Sequence, residues 1–456
     1  MIASDPIKIS VQGSCKRGSS TYDSMTHDTG ALLRVIARDL EQIVLPNIAV
    51  PNVQTLVGMM KSLLEREAGQ METPDEVLSP PAGSGLPELI ASAEAQLSRA
   101  LAGETTSRDG AWAESGAGRS AAQSSDNVRL SAITADQITA YLRKLPDWNW
   151  VKEARVSQTA GGFSKDTFIV TVTGDGREDG MVLRRDQAFR PLLTSVTDEW
   201  PVLASLAALG FPAPRPLWIE KDSAIFGASV IALERASGSA DSAQWSGEEE
   251  RRANVVRSSA RLLAQLHAIP AAQAGSAGSG VPGSNGASPA EFAADLARYW
   301  DRIAPAPNPL MDAVLSWLAD AAPERFERRA IVHGDYGLHN LLVDGEDIRA
   351  VLDWEFWHIG DPREDLAYIK PFMDQIGAWD IFLAAYQDAG GLSSDAKTEQ
   401  FYAVLSSVRV AMGCYALQHG FGQRTPTIDS KMIYVGRSFA DRFLIDAARI
   451  AAGGGQ

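Results

Sequence analysis

Between residues 330 and 353 the chain sets out two carboxylates, an amide and a histidine at spacings that suit one kind of chemistry. The run Ala-Ile-Val-His-Gly-Asp-Tyr-Gly-Leu-His-Asn puts His333, Gly334 and Asp335 directly after an apolar stretch, and Asn340 follows Asp335 by five residues. A second apolar stretch, Leu341–Val343, a polar turn over 344–347 and a third stretch, Ala350–Leu352, then deliver Asp353. The pattern is that of a hairpin with polar groups where strands begin or end. Two carboxylates and an amide oxygen converging there suit Mg2+, a hard cation that prefers oxygen ligands. Phosphoryl transfer needs such parts: a carboxylate facing the attacking hydroxyl, and metal ligands that offset charge on the phosphates. Taken singly, Asp and Asn are ordinary turn and cap residues. The joint spacing is what points to a reaction.

This segment resembles the catalytic core of the aminoglycoside phosphotransferase/choline kinase family, relatives of the protein kinases. Their shared pattern is His-Gly-Asp, four residues, Asn, then Asp before Trp or Phe, then Gly-Asp-Pro and Asp-Leu-Ala. Here it runs through Asp353-Trp354-Glu355, Gly360-Asp361-Pro362 and Asp365-Leu366-Ala367. The resemblance covers roughly residues 150–450 and implies an α+β, bilobal protein kinase-like fold, with a small β-rich N-lobe and a helical C-lobe. It implies Asp335 as catalytic base, His333 as the prop of its loop, Asn340 and Asp353 as metal ligands, and Asp365 as a structural acid at a helix start. It also implies ATP and Mg2+ as cofactors, with GTP left open, and a hydroxyl of a small molecule as phosphate acceptor.

An ATP-clamping lobe should precede these residues. Val156–Thr159, then Ala160-Gly161-Gly162-Phe163-Ser164 and a strand, resemble a phosphate-covering turn in which glycine lets backbone N–H groups approach an anion; an ordinary hairpin turn has the same composition. No Walker A loop occurs. β-type runs are expected at Thr167–Thr173 and Met181–Leu183, a helix near 194–209, and a strand at Ala228–Leu233. Met181-Val182-Leu183-Arg184 stands where protein kinases carry Val-Ala-Ile-Lys, so Arg184 replaces the phosphate-gripping lysine. Strand alternation points Arg185 to the opposite face. Glu199, fifteen residues after Arg184, is the expected partner of Arg184, with Asp198 as its alternative. Glu234 and Ala236, after the strand, fall where the resembling family has its hinge against adenine, with Leu233 and Ala236 flanking the base. His267 reads as a packing histidine at a helix end; His339 and His358 flank the site and could meet substrate.

The remaining organisation frames this core. Apolar periodicity predicts helices over 32–44, 53–67 and 86–101, giving a helical N-terminal module at 1–102 with a loose start at 1–27. A Gly/Ser/Ala-rich linker follows at 103–127, then the N-lobe with hinge at 128–238 and the C-lobe at 239–456. A second small-residue segment, 271–288, ends in Ser288-Pro289-Ala290-Glu291, a capping-box pattern that opens a helix burying Phe292, Leu296, Tyr299, Trp300 and Ile303. The 456 residues carry 42 Lys and Arg against 57 Asp and Glu, a net charge of −15, which disfavours nucleic-acid and anionic-membrane partners. Cys15 and Cys414 lie far apart and form no disulfide framework. With no secretory signal or run of 18 apolar residues, the expectation is a cytoplasmic protein, oligomeric state open.

The acceptor is less well marked. The tail, Ala-Ala-Gly-Gly-Gly-Gln, lacks the acidic cluster that would grip several ammonium groups, whereas Trp354, Phe356, Trp357, Trp379 and Tyr415 offer aromatic surface. An apolar or hydroxyacyl-type metabolite is the first reading, in line with relatives that resemble the kinase parts of acyl-CoA dehydrogenase-linked proteins. An antibiotic-inactivating kinase acting on an aminoglycoside or macrolide is the alternative, and a nucleotide-binding regulatory protein a second one. Intact Asp335, Asn340 and Asp353 argue against the latter, and the missing Ala-Pro-Glu segment argues against a protein kinase.

Overall fold

A computed structural model describes residues 85–101, 130–159, 164–187, 194–274, 288–304, 307–422 and 430–453. The chain divides into two units, Met1–Pro74 and Asp75–Gln456, and all the described residues lie in the second. The helices expected over 32–44 and 53–67 and the linker 103–127 fall outside the described residues. The third expected helix, α1 (Leu86–Leu101), is present, and its Leu89 and Leu97 pack into the core of the C-lobe.

The N-lobe is a five-stranded antiparallel sheet of order β1-β2-β3-β5-β4, formed by β1 (Glu153–Gln158), β2 (Lys165–Gly174), β3 (Arg177–Asp186), β4 (Pro216–Glu220) and β5 (Val230–Glu234). β2 and β3 make a hairpin in which Gly174 pairs with Arg177. Asp175 and Gly176, at φ 48° and 74°, supply the left-handed pair that a two-residue hairpin turn requires. Alternation then divides the sheet. Phe168, Val170, Val172, Met181 and Leu183 face the short helix α2 (Ala135–Leu142), burying Ile138 and Leu142. The opposite face carries Arg184 and Ile231, which pair across β3 and β5. On that side lies α3 (Val196–Ala208), capped by Ser195, whose Oγ accepts from Thr197 N–H while Asp198 Oδ2 accepts from Ser195 N–H at 2.8 Å. Asp186, closing β3, takes Ser195 Oγ–H at 2.6 Å and Val196 N–H at 2.9 Å, which fixes the start of α3 against the strand beside Arg184.

The C-lobe is helical: α4 (Glu249–Ala268), α5 (Pro289–Ile303), α6 (Pro309–Ala321), α7 (Arg363–Gln375), α8 (Trp379–Asp388), α9 (Ala396–Gly422) and α10 (Ser430–Ala451). The expected capping of α5 is present: Ser288 Oγ accepts from Glu291 N–H, Pro289 takes the first helical position, and the five predicted apolar residues are buried. Two small antiparallel pairs stand among the helices, β6 (Ala330–Val332) with β9 (His358–Gly360) and β7 (Leu341–Asp344) with β8 (Asp347–Val351). The polar turn foreseen at 344–347 closes the second, with Gly345 at φ 66°. Ser239 and Val343 exchange backbone hydrogen bonds at 2.9 Å each, joining the segment after β5 to β7. Among the described residues no helix is long and apolar enough to cross a membrane.

Candidate active site

The loop between β6 and β7 holds Asp335, and a buried carboxylate holds the loop. Asp365, in the first turn of α7, accepts His333 N–H and Gly334 N–H at 2.8 Å each and His267 Nε2–H at 3.0 Å. His267 Nδ1 then accepts from Tyr386 hydroxyl at 2.8 Å, so the histidine read as simple packing is a strut between α4, α8 and the loop. Burial alone would raise the Asp365 carboxyl, but His267 and His333 outweigh it and hold it below the usual carboxylate range. His333 works inside the loop. Its Nδ1 accepts Asp335 N–H at 3.2 Å, which leaves Nε2–H to donate to Leu352 O at 2.9 Å, one residue before Asp353. Burial favours that neutral ring by pushing its pKa down. Gly334 stands at φ 79°, and a Cβ there would lie 2.5 Å from Phe356 O, so the glycine meets both a conformational and a steric demand.

Asp335 itself is mostly buried. Asn340 Nδ2 donates to its backbone O at 2.9 Å and to its Oδ2 at 2.8 Å, while His339 Nε2 lies 3.5 Å from Oδ1. Tyr368 in α7 is hydrogen-bonded to it as well. Burial would raise this carboxyl, yet His339, Tyr368 and His333 together keep it below its ordinary value. Asn340 is tied to the neighbouring strand end through Leu352 N–H, which donates to Asn340 O at 2.8 Å. Asp353 follows at φ 61°, a left-handed backbone unusual for a residue with a side chain. Among the described residues no group of three or more His, Cys, Asp or Glu side chains forms a ready-made metal cluster. The oxygen donors of Asp353 and Asn340 fit a Mg2+ ion that draws its other ligands from phosphate and water.

Arg184 faces this centre and Arg185 does not. Arg184 Nη2 donates to Asp353 Oδ1 at 2.6 Å and lies 3.1 Å from Glu199 Oε1. Arg185, on the other face, pairs with Asp166 at 2.6 Å and donates to Ser131 O and Phe226 O. Glu199 is buried, and that burial pushes its carboxyl up to about 8 against the pull of Arg184. Asp198 is spent on the helix cap.

A second ionic group lies beside the first; of its members sequence reasoning had singled out Ser164 but not Lys165 or Glu355. Ser164 Oγ is 2.8 Å from both oxygens of Glu355, and buried Lys165 donates from Nζ to Thr194 O at 2.8 Å and Oγ1 at 3.1 Å. Lys165 also lies 3.5 Å from Glu355 and 3.8 Å from Asp186. Burial, reinforced by Asp353, raises the Glu355 carboxyl despite Lys165 and Arg184. Glu355 was visible in Asp-Trp-Glu and Lys165 directly follows the glycine turn, but nothing local pairs two residues so far apart in the chain. Gly161, Gly162 and Phe163 of that turn lie outside the described residues. At the expected hinge, the N–H groups of Glu234 and Arg235 are taken by Arg215 O and Gly180 O, and the exposed Glu234 side chain pairs with Arg215. Ala236 is half-buried beyond them, and neither Glu234 nor Ala236 lines the cavity described next.

A cavity of about 390 Å3 is lined by the polar groups of Ser164, Lys165, Arg184, Asp335 and Asp353 and by a set of less polar side chains, Leu296, Tyr299, Phe356, Leu405 and Met412. Of the five aromatic residues expected to line an acceptor site, Phe356 does so. Trp354 and Trp357 are buried in the core, where Trp357 Nε1 donates to Asp198 O; Trp379 stacks on Phe382, and Tyr415 packs against Trp300. His339 lines the cavity, whereas His358 is buried and bonded to Phe356 O and Glu364. Tyr368 and Arg409 line it too, and no short motif signals either.

The profile of a family described as a phosphotransferase enzyme family matches residues 155–402, more than half of the chain. The chain belongs to that family. Its fold is protein-kinase-like, and the two lobes described above are those of that fold. Acyl-CoA dehydrogenase family member 11 of Gallus gallus is 28% identical over 293 residues, 57% of this chain and 36% of that protein. Acyl-CoA dehydrogenase family member 10 of Mus musculus is 27% identical over 250 residues, 53% of this chain and 22% of that protein. The chain thus spans about a third or less of the length of these curated relatives. In fold the phosphotransferase is similar to a Ralstonia eutropha protein provisionally named an aminoglycoside phosphotransferase, with a TM-score of 0.54 and 20% identity, over 70% of this chain and 99% of that one.

Proposed function

We propose that this phosphotransferase moves the γ-phosphoryl group of ATP, with Mg2+, to a hydroxyl of an apolar or hydroxyacyl-type small molecule in the cytoplasm. The observation that supports the reading is that Asp335 shares one cavity with the ionic group of Arg184, Asp353, Lys165 and Glu355 and with the apolar side chains of Leu296, Leu405 and Met412. On this reading residues 128–238 cover the nucleotide and 239–456 hold the acceptor. Asp335 orients the acceptor hydroxyl and takes its proton as the new oxygen–phosphorus bond forms; the bond from the γ-phosphorus to the bridging oxygen breaks, and ADP leaves. His333 and Asn340 hold Asp335 in place, and Arg184, kept in position by Glu199, meets the phosphates. Mg2+, when held by Asp353 and Asn340, supplies charge neutralisation on the phosphate oxygens. Catalysis comes mainly from positioning and charge stabilisation.

Two features support the apolar acceptor: the apolar side chains named above, and relatives whose names place them among acyl-CoA dehydrogenases. The test is ADP release and mass-spectrometric product detection with Mg-ATP and a panel of hydroxylated metabolites, aminoglycosides and macrolides. Asp335→Asn should lower kcat by about 10²-fold or more, the scale of a positioned acid–base group. Wild-type turnover in that variant would refute the base assignment. Phosphorylation confined to the antibiotics would refute the acceptor class.

A further inference from the structure

Arg409, on α9, lines the same cavity as Asp335, and a plain alcohol there would require no cation. Its side chain is 13% exposed and is held from behind: Nη1 donates to Glu364 Oε2 at 3.1 Å, and the same oxygen takes His358 Nε2 at 3.0 Å. Phe292 stacks on His358 and lies 5.9 Å from the guanidinium carbon. The other edge points toward the catalytic loop. Arg409 Nη2 lies 2.9 Å from the position a Cβ on Gly334 would occupy, so the bare glycine beside Asp335 leaves room for the cation. Tyr368, hydrogen-bonded to Asp335, is also within electrostatic reach of Arg409. A guanidinium has five N–H donors in a rigid fork, and one edge committed to a carboxylate leaves others to offer.

We infer that Arg409 is a specificity-determining residue: it binds an acyl oxygen of the acceptor, a carboxylate or thioester carbonyl, while the hydroxyl sits at Asp335 and the chain lies along Leu296, Leu405 and Met412. This rests on phosphoryl transfer at Asp335, as proposed above. The Asp335 Cα is one peptide, about 3.8 Å, beyond that of Gly334, so the acyl oxygen and the hydroxyl belong to nearby carbons rather than opposite chain ends. A polyammonium acceptor would bring like charge against Arg409.

The test uses the full chain with Mg-ATP and C8–C12 monohydroxy fatty acids carrying the hydroxyl near the carboxyl or at the chain end. Their coenzyme A thioesters, the matching carbonyl-free alcohols and an aminoglycoside complete the set. Near-carboxyl hydroxy acids or their thioesters should exceed the alcohols and chain-end isomers in kcat/KM by about 10- to 100-fold, the range of one charge-assisted hydrogen bond. The acid-to-thioester ratio identifies the source of the oxygen. In Arg409→Gln the acyl-over-alcohol preference should fall by about tenfold or more, chiefly through KM, and Arg409→Lys should restore part of it. Equal use of alcohols or chain-end isomers by the wild type overturns the inference, even if neither variant folds. An unmoved preference in Arg409→Gln also overturns it. Asp335-dependent turnover of alcohols or aminoglycosides, with every acyl compound inert, refutes Arg409's role alone; no phosphorylated product with any acceptor refutes the phosphotransfer reading beneath it.

Discussion

Replacing Asp365 with asparagine should disable the enzyme without altering a cavity-lining side chain. The carboxylate accepts three hydrogen bonds, from His333 N–H, Gly334 N–H and His267 Nε2–H. An asparagine keeps one acceptor oxygen and turns an NH2 group toward a donor that cannot accept from it. Losing a charge-assisted bond and stranding a buried donor costs about 3–5 kcal/mol. For a domain of this size that is a fall in Tm of about 4–8 °C. Because the two loop N–H groups flank Asp335, the loop relaxes and kcat should drop about 10²-fold, the scale of an ångström-sized misplacement. Urea melts and steady-state kinetics at saturating ATP read both quantities. The pH dependence has a fixed sign. The His267 and His333 contacts outweigh burial and hold the folded Asp365 carboxyl below the usual carboxylate range. It therefore contributes stability that is fully present above its unfolded pKa and is lost as pH falls through the lower folded pKa; Asp365→Asn should remove this acid-side loss. A variant within about 1 kcal/mol of wild type in stability and within about threefold in kcat would refute the claim that this carboxylate frames the loop.

Gly334→Ala should cost about 2–4 kcal/mol and most of the turnover, since a left-handed backbone and a blocked Cβ position act together; a fully active alanine variant would contradict the geometry. Arg184→Met should raise KM for ATP about tenfold or more, whereas Arg185→Met should lower stability by about 2–4 kcal/mol through the stranded Asp166 and two carbonyls. The reverse pattern would mean that the strand faces are misassigned. Burial pushes the Asp361 carboxyl up to about 7, although the Arg363 backbone N–H opposes it. The folded protein then retains a proton that the unfolded chain has lost, so stability falls as pH rises from about 4 to 7. Asp361→Asn should flatten that decline by about 2–4 kcal/mol in melts across this range.

Short-range features were legible in the sequence because local rules fix them. The Ser288 cap and the 344–347 turn each depend on a few adjacent residues. Asp335 and Asn340 meet because only four residues of one loop separate them, and alternation along β3 sends Arg184 and Arg185 to opposite faces. The sequence could not show what long-range packing brings together. Ser164 meets Glu355 across 191 positions, and Arg409 meets Glu364 across 45 from a helix with no motif of its own. Closeness to the motif was also a poor guide to facing direction: Trp354, Trp357 and His358 follow Asp353 yet turn into the core, while the cavity wall comes largely from α5 and α9.

The stretch from Asp353 to Glu355 behaves like a hasp with two staples. Arg184 engages one end, and Ser164 and Lys165 engage the other, all from the sheet side, while the frame of Asp335 is built from His267, Asp365, Tyr386 and Leu352 in the helical lobe. Parting the sheet from the helical lobe would have to break both staples, whereas the contacts that frame Asp335 lie within the helical lobe and would not have to be broken.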